Sequence, residues 1–377
     1  MRKFENSYFF STSNMYEEIG KLKKKILFVT NTIQMLSGAA KIFRFVSSEM
    51  SNCGYEVEAL IILDDSIEET IENVPVSTLG IKTFPKGIWR LRTFSVLRRE
   101  IRKSNPDIVC TFVQDACFLV RVATLGLPIL TISCDRGDPS WGGKSLWKPI
   151  TKWTYRQSDI CVFQLPEVRD YFGSKNLKKS YVIPNPFVPM EEPDRSFVNK
   201  TIVSAGRFTD QKGFDVLIKA FDIVRKRFPE YKLIIWGDGD LREEYQSLID
   251  KLQLKDSVEL PGYIRNVSSA IKHEGIFVLS SRYEGIPNAL IEAMSMGLPC
   301  VSTDCSPGGA RFLASNETRA IIVPVDCSEL LANAICKVIE DKNLAKSLSS
   351  NALQVRKVYD PAIILNLWRK VFDSIVE

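Results

Sequence analysis

Histidine is almost missing from this chain of 377 residues, in which His273 is the single example. A sequence so poor in histidine argues against enzymes whose active sites are assembled from several histidines. His273 comes just before the apolar segment IFVLSS, and we interpret it as an ordinary surface or core residue.

Long apolar runs are also missing. No stretch reaches the roughly 20 residues that a membrane-spanning helix needs. The longest candidate, CFLVRVATLGLPILT, is short and contains Arg121. The N-terminal segment MRKFENSYFFSTSNMYEEIG has no apolar core of signal-peptide length. The sequence therefore predicts a cytoplasmic protein.

Paired cysteines are absent as well. The nine cysteines are scattered singly, their number is odd, and no Cys-x-x-Cys pair occurs. This pattern indicates neither a disulfide framework nor a zinc site. We expect buried free thiols instead.

The charge is distributed unevenly along the chain. Residues 1–190 carry 26 Lys and Arg against 19 Asp and Glu, whereas residues 191–377 carry 24 against 26. A basic first half suggests that this half meets something anionic, although solvated surface charge explains most of these residues equally well.

Short apolar strands alternate with amphipathic helices along the whole chain. One series begins with KKILFVTN and ends with YVIPNPF, and a second begins with TIVSAGRF and ends with AIIVPV. Such alternation is typical of parallel sheets covered by helices on both faces. Pro184, Pro186 and Pro189 separate the two series, because prolines this dense interrupt helices and central strands.

The predicted fold is therefore α/β, with two doubly wound Rossmann-like domains facing a cleft. We predict an N-terminal extension over 1–23, a first domain over 24–187, a second domain over 188–358 and a C-terminal helix over 359–377. That the last helix packs back on the first domain is a hypothesis. Ligands of such sheets bind outside the carboxyl ends of the strands, so we expect a site in the cleft.

Two cations follow the strand TIVSAG at its carboxyl end. Arg207 leaves the strand, Lys212 comes five residues later, and Gly213 precedes a helix. Cations beside a helix N-terminus suit a phosphate group. Two ordinary exposed cations are the alternative.

The segment WGDGDLREEY contains an Asp-x-Asp sequence, which resembles a metal-binding motif. We interpret it as a glycine turn between a strand and a helix. Gly237 and Gly239 allow tight backbone geometry there, and Asp240 is expected to cap the helix.

The segment SRYEGIPNALIEAMSMGLP places Glu284 in a loop and Glu292 about one turn inside a helix predicted over 288–296. Acids near a helix start can simply stabilise the helix dipole. Carboxylates that accept hydrogen bonds from sugar hydroxyls explain both positions, and the free amides at the helix start suit a diphosphate.

Several segments together resemble one family. AGRFTDQKGFDVLIKAF, WGDGDLREEYQ, VELPGY, SSRYEGIPNALIEAMSMGLPCVSTDCSPGG and VIPNPF are similar to the retaining GT-B glycosyltransferases of family 4, the group 1 glycosyl transferases. The two glutamates eight residues apart in EGIPNALIEAMSMGLP are the most specific part. The resemblance covers residues 181–330 densely and the N-terminal half loosely.

The resemblance implies roles for individual residues. Arg207 and Lys212 would hold the diphosphate of a nucleotide-sugar donor and stabilise the charge that develops on it. Glu292 would bind the ribose hydroxyls, and Glu284 would contact the donor sugar. The remaining implied donor-binding positions are Gly206, Gly262, Tyr263, Gly285, Ile286, Pro287, Asn288 and Ala289.

The resemblance also implies positions for the acceptor or the sugar in the first domain. Where the family often has two adjacent glycines, this sequence has only Gly38. The segment CDRGDPS resembles a run found in members that act on hexose donors, and it brings in Asp135, Arg136 and Asp138.

The implied reaction transfers a hexose or an N-acetylhexosamine from a UDP-sugar, since the loop STDCSPGGARFL resembles UDP-using members more than GDP-mannose enzymes. Positive groups would do the work of a metal, so no metal and no cofactor are expected. The acceptor is a saccharide, and a lipid-linked one in polysaccharide assembly is the hypothesis; no nucleic-acid partner is expected. A nucleotide-sugar-binding subunit without turnover and a UDP-sugar 2-epimerase are the alternatives, although epimerases lack this helix start and use histidines.

A basic helix is the lead for membrane contact. In IWRLRTFSVLRREIRK, helical spacing aligns an apolar core stripe and a separate basic face. The stripe consists of Leu91, Phe94, Leu97 and Ile101, and the basic face of Arg92, Arg99 and Lys103, which Lys148, Lys152 and Arg156 of a later segment extend. These cations suit anionic lipid head groups on the inner face of the cell membrane. An ordinary solvated helix face is the alternative.

Overall fold

The computed structural model describes residues 24–33, 38–64, 70–80, 89–139, 147–187, 199–264, 266–272 and 274–375. The predicted N-terminal extension and His273 lie outside the described residues, and so does most of the proline-rich linker, from 188 to 198.

The first domain contains seven strands and five helices among the described residues. The strands are β1 (Lys25–Thr30), β2 (Glu56–Ile61), β3 (Val76–Thr78), β4 (Ile108–Phe112), β5 (Leu130–Asp135), β6 (Ile160–Phe163) and β7 (Ser180–Val182). The helices are α1 (Gly38–Asn52), α2 (Trp89–Ser104), α3 (Gln114–Ala123), α4 (Trp147–Gln157) and α5 (Pro166–Tyr171). The sheet order is β3-β2-β1-β4-β5-β6-β7, and its pairings are parallel.

The second domain repeats this architecture with six parallel strands. They are β8 (Thr201–Ala205), β9 (Lys232–Trp236), β10 (Val258–Gly262), β11 (Ile276–Leu279), β12 (Cys300–Thr303) and β13 (Ala320–Val323). The helices from here to the C-terminus are α6 (Phe214–Arg227), α7 (Arg242–Lys251), α8 (Val267–Ile271), α9 (Asn288–Ser295), α10 (Gly309–Ala314), α11 (Ser328–Glu340), α12 (Lys342–Ala352), α13 (Val355–Val358) and α14 (Pro361–Asp373). The order β10-β9-β8-β11-β12-β13 confirms the predicted pair of doubly wound sheets.

Both faces of the first sheet are buried, which explains its continuous apolar strands. Successive strand residues point to opposite faces. Accordingly, Ile26 and Phe28 of β1 belong to the core that includes α1, whereas Leu27 and Val29 belong to the core that includes α2. Sheets covered on both faces have strands of this composition.

The predicted apolar stripe of α2 is buried where the structure describes it. Leu97 and Ile101 are fully buried, and Phe94 packs against the same core. Among the described helices, none is both long enough and apolar enough to cross a bilayer. The cysteines are free thiols, and all except Cys53 and Cys327 are buried.

Apolar packing runs across the boundary between the two domains. Phe163 and Phe172 of the first domain lie in one continuous core cluster with Ile286, Leu290 and Met294 from the start and body of α9. The second domain is therefore held against the first through α9.

The last helix, α14, packs against the first domain. Trp368 is fully buried, and its ring stacks on Phe112 with centroids 5.9 Å apart. The ring centroid of Phe372 lies 6.0 Å from that of Phe28 in β1. The chain thus leaves the second domain and completes the core of the first.

We predict that Trp368→Ala lowers the free energy of unfolding by about 3–5 kcal/mol, because it removes a fully buried ring from a packed core. Ile363→Ala is the matched control, since Ile363 lies on the same helix but is 46% exposed; its effect should stay within about 0.5 kcal/mol. Urea denaturation measures both. Equal small effects would mean that α14 does not contribute to the core of the first domain.

Candidate active site

The candidate site lies where the strand order of the second sheet reverses. The adjacent strands β8 and β11 are followed by loops that leave the sheet at the same edge, while the chain continues to β9 on one side and to β12 on the other. Ligands of doubly wound sheets bind at such switch points. The loop after β8 carries Arg207 and Lys212, and the loop after β11 carries Glu284.

Lys212 and Glu284 form an ion pair across these two loops. Their side chains are only 16% and 12% exposed, and the Ser281 hydroxyl donates to the same Glu284 oxygen at 3.1 Å. The Lys212 stem lies over the backbone of Gly206, where an added Cβ would come within 2.9 Å of Lys212 Cε. Gly206, Lys212 and Glu284 are therefore brought together.

Arg207 stands apart from this pair. Its side chain is exposed and makes no hydrogen bond or ion pair with the described residues. A cation that has no partner among the described residues is available to an anionic ligand.

Gly213 fixes the turn that presents Lys212. Its φ is +59°, and a Cβ there would collide with the carbonyl oxygen of Ser280 at the end of β11. The Ser280 hydroxyl donates to the Lys212 carbonyl at 2.8 Å. Only glycine allows this close approach of the two loops.

An ion cluster around Arg282 was not predicted. The guanidinium lies 3.2 Å from Asp210, 3.0 Å from Asp215 and 2.7 Å from Asp326. It ties the loop that carries Glu284 to the turn that carries Lys212 and to the start of α6. The two acids that flank Lys212 in TDQKGFD were the sequence feature from which this cluster could have been predicted.

The helix α9 starts at the cleft, and groups of the first domain contact it. Pro287 is its N-cap residue, and the amide of Ile286 donates to the Gln164 side chain at 2.6 Å. Asn185 of the linker donates to Asn288 at 2.7 Å. Glu292 is 5% exposed and accepts a hydrogen bond from Lys41 at 2.9 Å.

Two glycines let the two domains approach each other closely. A Cβ on Gly285 would lie 2.9 Å from the Arg136 carbonyl oxygen and 2.8 Å from the Gln164 amide nitrogen. A Cβ on Gly38, at the start of α1, would lie 2.9 Å from the Asn288 amide nitrogen. The predicted positions Gly38, Arg136, Gly285 and Asn288 thus meet at one interface.

Asp135 is buried within the first domain. Its carboxylate is 1% exposed and accepts hydrogen bonds from Gln114 at 2.8 Å, Tyr155 at 3.2 Å and the Gly137 amide at 3.0 Å. Burial raises its pKa to about 6, against the opposing effect of these donors. The carboxylate therefore shapes the loop that contains Asp138 instead of reaching out to a sugar.

Arg136 turns its side chain away from the cleft and only its carbonyl towards Gly285. The guanidinium donates to the Ile183 carbonyl at 2.9 Å and lies over the Trp368 ring, 5.1 Å from its centroid. Its role in this structure is to join the first domain, the linker and α14.

The segment Gly237 to Asp240 is a turn, as predicted, but its capping residue was predicted wrongly. A Cβ on Gly237 would collide with the Gly206 carbonyl oxygen. Because α7 begins only at Arg242, its N-cap is Leu241, and no side chain caps it. Among the described residues, no three His, Cys, Asp or Glu side chains are gathered as a metal site would require.

Tyr263 lies at the same edge of the second sheet, next to its outermost strand. It follows β10, two strands from β8, and is 51% exposed. The Gly262 carbonyl accepts the Gly237 amide at 2.9 Å, which joins this loop to the turn beside Gly206.

Comparison with protein families agrees with this geometry in both domains. The family model of glycosyl transferases group 1 matches residues 193–355, and that of glycosyltransferase family 4 matches residues 36–189. The chain belongs to the family 4 glycosyltransferases. The recognised resemblance is thereby confirmed at the level of the family.

The glycosyltransferase is 29% identical to the uncharacterized glycosyltransferase MJ1059 of Methanocaldococcus jannaschii, over 94% of its own length and 99% of that relative. It is 25% identical, over 76% of its length and 80% of the relative, to the Campylobacter jejuni alpha-1,4-N-acetyl-D-galactosaminyltransferase named for GalNAc-alpha-(1->4)-GalNAc-alpha-(1->3)-diNAcBac-PP-undecaprenol. Among solved structures, Anabaena Alr3699/HepE in complex with UDP and glucose superposes with a TM-score of 0.81 at 18% identity, over 93% of this chain and all of that one. This likeness confirms the GT-B fold.

We predict that Gly285→Ala loosens the contact between the domains, because a methyl group there meets the backbone of Arg136. The glycosyltransferase should lose about 1–3 kcal/mol of unfolding free energy. Gly137→Ala is the control, since an added Cβ at Gly137 meets nothing within 4 Å. Thermal unfolding reports stability, and small-angle scattering reports the domain separation. Two variants that behave alike would refute a tight contact at Gly285.

Proposed function

We propose that this glycosyltransferase moves a hexose or an N-acetylhexosamine from a UDP-sugar to a saccharide acceptor, with retention of the anomeric configuration. The proposal is carried by one observation: the Lys212–Glu284 pair lies with the exposed Arg207 at the switch point of the second sheet. Cations at such an edge suit the diphosphate of a nucleotide-sugar.

The geometry of the sheet edge suits a nucleoside diphosphate that lies along the edge in one orientation. The diphosphate would lie at the loops after β8 and β11, and the base would lie at Tyr263 beside β10. Two strand spacings separate β8 from β10, about 10 Å in all, which is the scale of a nucleoside. An exposed aromatic ring is a suitable stacking surface for a base.

The proposed reaction needs no protein base. The bond from the anomeric carbon to the β-phosphate oxygen breaks while the acceptor oxygen bonds to the same face of that carbon. The acceptor proton passes to the leaving phosphate oxygen. Arg207 and Lys212 would stabilise the charge that grows on this phosphate. Lys212 would then exchange its Glu284 partner for phosphate, and Glu284 would accept hydrogen bonds from sugar hydroxyls.

Relatives support the donor and acceptor classes. A structure with the same fold was solved with UDP and glucose, and the Campylobacter relative is named for an acceptor saccharide on undecaprenol diphosphate. We therefore propose a lipid-linked saccharide acceptor in polysaccharide or glycan synthesis. We also propose that the reaction is independent of metal, so that activity persists in EDTA.

Release of UDP separates this proposal from its two alternatives. A transferase releases UDP from a UDP-sugar chiefly when an acceptor is present. A subunit that only binds the nucleotide-sugar releases none, and a 2-epimerase changes the sugar without any acceptor. Incubation with UDP-Gal, UDP-Glc, UDP-GlcNAc and UDP-GalNAc, each with and without acceptor, distinguishes them.

We predict that Arg207→Ala or Lys212→Ala lowers turnover at least about 100-fold, because each removes a cation from the leaving phosphate. Lys226→Ala is the control, since Lys226 is 71% exposed and pairs with Asp222 on α6. UDP release at saturating donor measures the effect. Near-normal turnover in both site variants would refute the phosphate role of these residues.

A second part of the proposal concerns the membrane. The predicted basic face of α2 is exposed, with Arg99 and Lys103 side chains 72% and 81% accessible, although Glu100 lies between them. On α4, Trp153 is 39% exposed, and its ring contacts Phe118 of α3. Cations beside an exposed tryptophan suit the surface of an anionic bilayer, so we propose peripheral binding there.

We predict that the protein floats with liposomes containing anionic lipid and that high salt releases it. Replacing Arg92, Arg99 and Lys103 together with glutamine should lower the bound fraction several-fold. The control replaces Lys200, Lys226 and Lys232 of the second domain, which are all more than half exposed. Equal losses in both triple variants would show a nonspecific charge effect, and no flotation of the parent protein would refute membrane binding.

A further inference from the structure

One ion pair connects the two domains among the described residues. Lys41 of α1 lies 2.9 Å from Glu292 of α9, and the two residues are 251 positions apart in the chain. The other ion pairs found among the described residues join side chains of the same domain. In the described part of the first domain, Lys41 is thus the single cation that forms an ion pair with a residue of the second domain implied to bind the donor.

The pair lies in a cavity formed by both domains. The cavity has a volume of about 330 Å³, and Ile42, Phe45, Phe187 and Pro361 form its apolar wall, with Lys41 and Glu292 among its polar lining. A pocket of this size accommodates a small ligand. Glu49 lines the same cavity. The apolar walls strengthen the electrostatic interactions of the charged groups between them.

Glu292 is only partly satisfied by Lys41. The glutamate side chain is 6% exposed, whereas that of Lys41 is 34% exposed. Lys41 binds Oε1, and the described residues supply no hydrogen-bond donor to Oε2. A carboxylate has about four acceptor positions, so this one retains capacity for the hydroxyl groups of a ligand.

Lys41 is therefore suited to hold the carboxylate in place. A carboxylate this deeply buried is strongly unfavourable without a charged partner. The contact with Lys41 Nζ also selects one side-chain conformation of Glu292. This conformation is then present before a ligand binds. The lysine does not need to touch the ligand to have this effect.

We propose that Lys41 is a positioning residue for donor binding: it orients Glu292 so that this carboxylate accepts hydrogen bonds from the ribose hydroxyls. The inference rests on the proposed function, in which Glu292 is the ribose ligand. It adds that recognition of the ribose requires a side chain of the first domain, and that it is complete only when the two domains are in contact.

The test compares UDP with 2′,3′-dideoxy-UDP, which lacks both ribose hydroxyls, by isothermal titration calorimetry on the full chain. The parent protein should prefer UDP by about 10- to 100-fold, as expected for hydroxyl groups bonded to a charged acceptor. Lys41→Met should reduce this preference to about threefold or less, with UDP bound more weakly and dideoxy-UDP almost unchanged. Lys41→Arg should restore most of the preference, because it keeps a cation at the carboxylate.

The matched control is Lys178→Met, since Lys178 lies 2.9 Å from Asp159 in the same domain but away from α9; it should keep the full preference. In a Glu292→Gln background, Lys41→Met should change the preference no further. A general structural defect would weaken both ligands equally and leave their ratio intact, which would overturn the inference. Tighter UDP binding by Lys41→Met would also overturn it, because Lys41 would then compete with the ribose. Absence of UDP binding by the parent protein would instead refute the proposed function.

Discussion

The start of α9 is the place on which the rest of this structure depends, because residues of both domains meet there. In this glycosyltransferase, groups of the first domain bind the residues on either side of the helix start. Gln164 accepts the Ile286 amide and Asn185 binds Asn288. The apolar body of α9 is buried in the same cluster as Phe163 and Phe172. The domain interface and the candidate donor site are therefore built from the same residues.

Electrostatics then sets the order of importance among the charged groups. Exposed pairs such as Lys200–Glu230 contribute little, about 0–1 kcal/mol. The Lys212–Glu284 pair is mostly buried, and removal of one partner from a buried pair is strongly destabilising. In the proposed reaction, a ligand that displaces Glu284 from Lys212 must supply this lysine with a substitute anion. A diphosphate does so, whereas a neutral sugar does not, which favours nucleotide-sugars over free sugars as ligands.

The parts of the fold that the sequence predicts are those encoded locally. Strands such as KILFVT have a continuous apolar centre, ILFV, because both faces of the sheet are covered. The helix predicted over 288–296 is observed over Asn288–Ser295. Local patterns also misled: Asp240 is a good capping residue by type, but α7 starts two residues after it. The Asp135 carboxylate, similarly, is buried, and it accepts hydrogen bonds from side chains 20 and 21 residues away in the sequence.

Contacts between distant segments could not be predicted from the sequence, for a physical reason. Lys41 meets Glu292 across 251 residues and Gln164 meets Ile286 across 122. Their pairing depends on how two domains pack, and neither helical periodicity nor a short motif encodes that packing. Only the glycines gave an indirect signal, since Gly38 and Gly285 each lie where a side chain would meet the opposite domain. Because groups of the first domain already contact Ile286, Asn288 and Glu292, any ligand that binds the second domain alone would leave these contacts incomplete. Donor binding and domain contact are therefore expected to depend on each other, and the acceptor, which the first domain is proposed to bind, would meet the donor only in the joined arrangement.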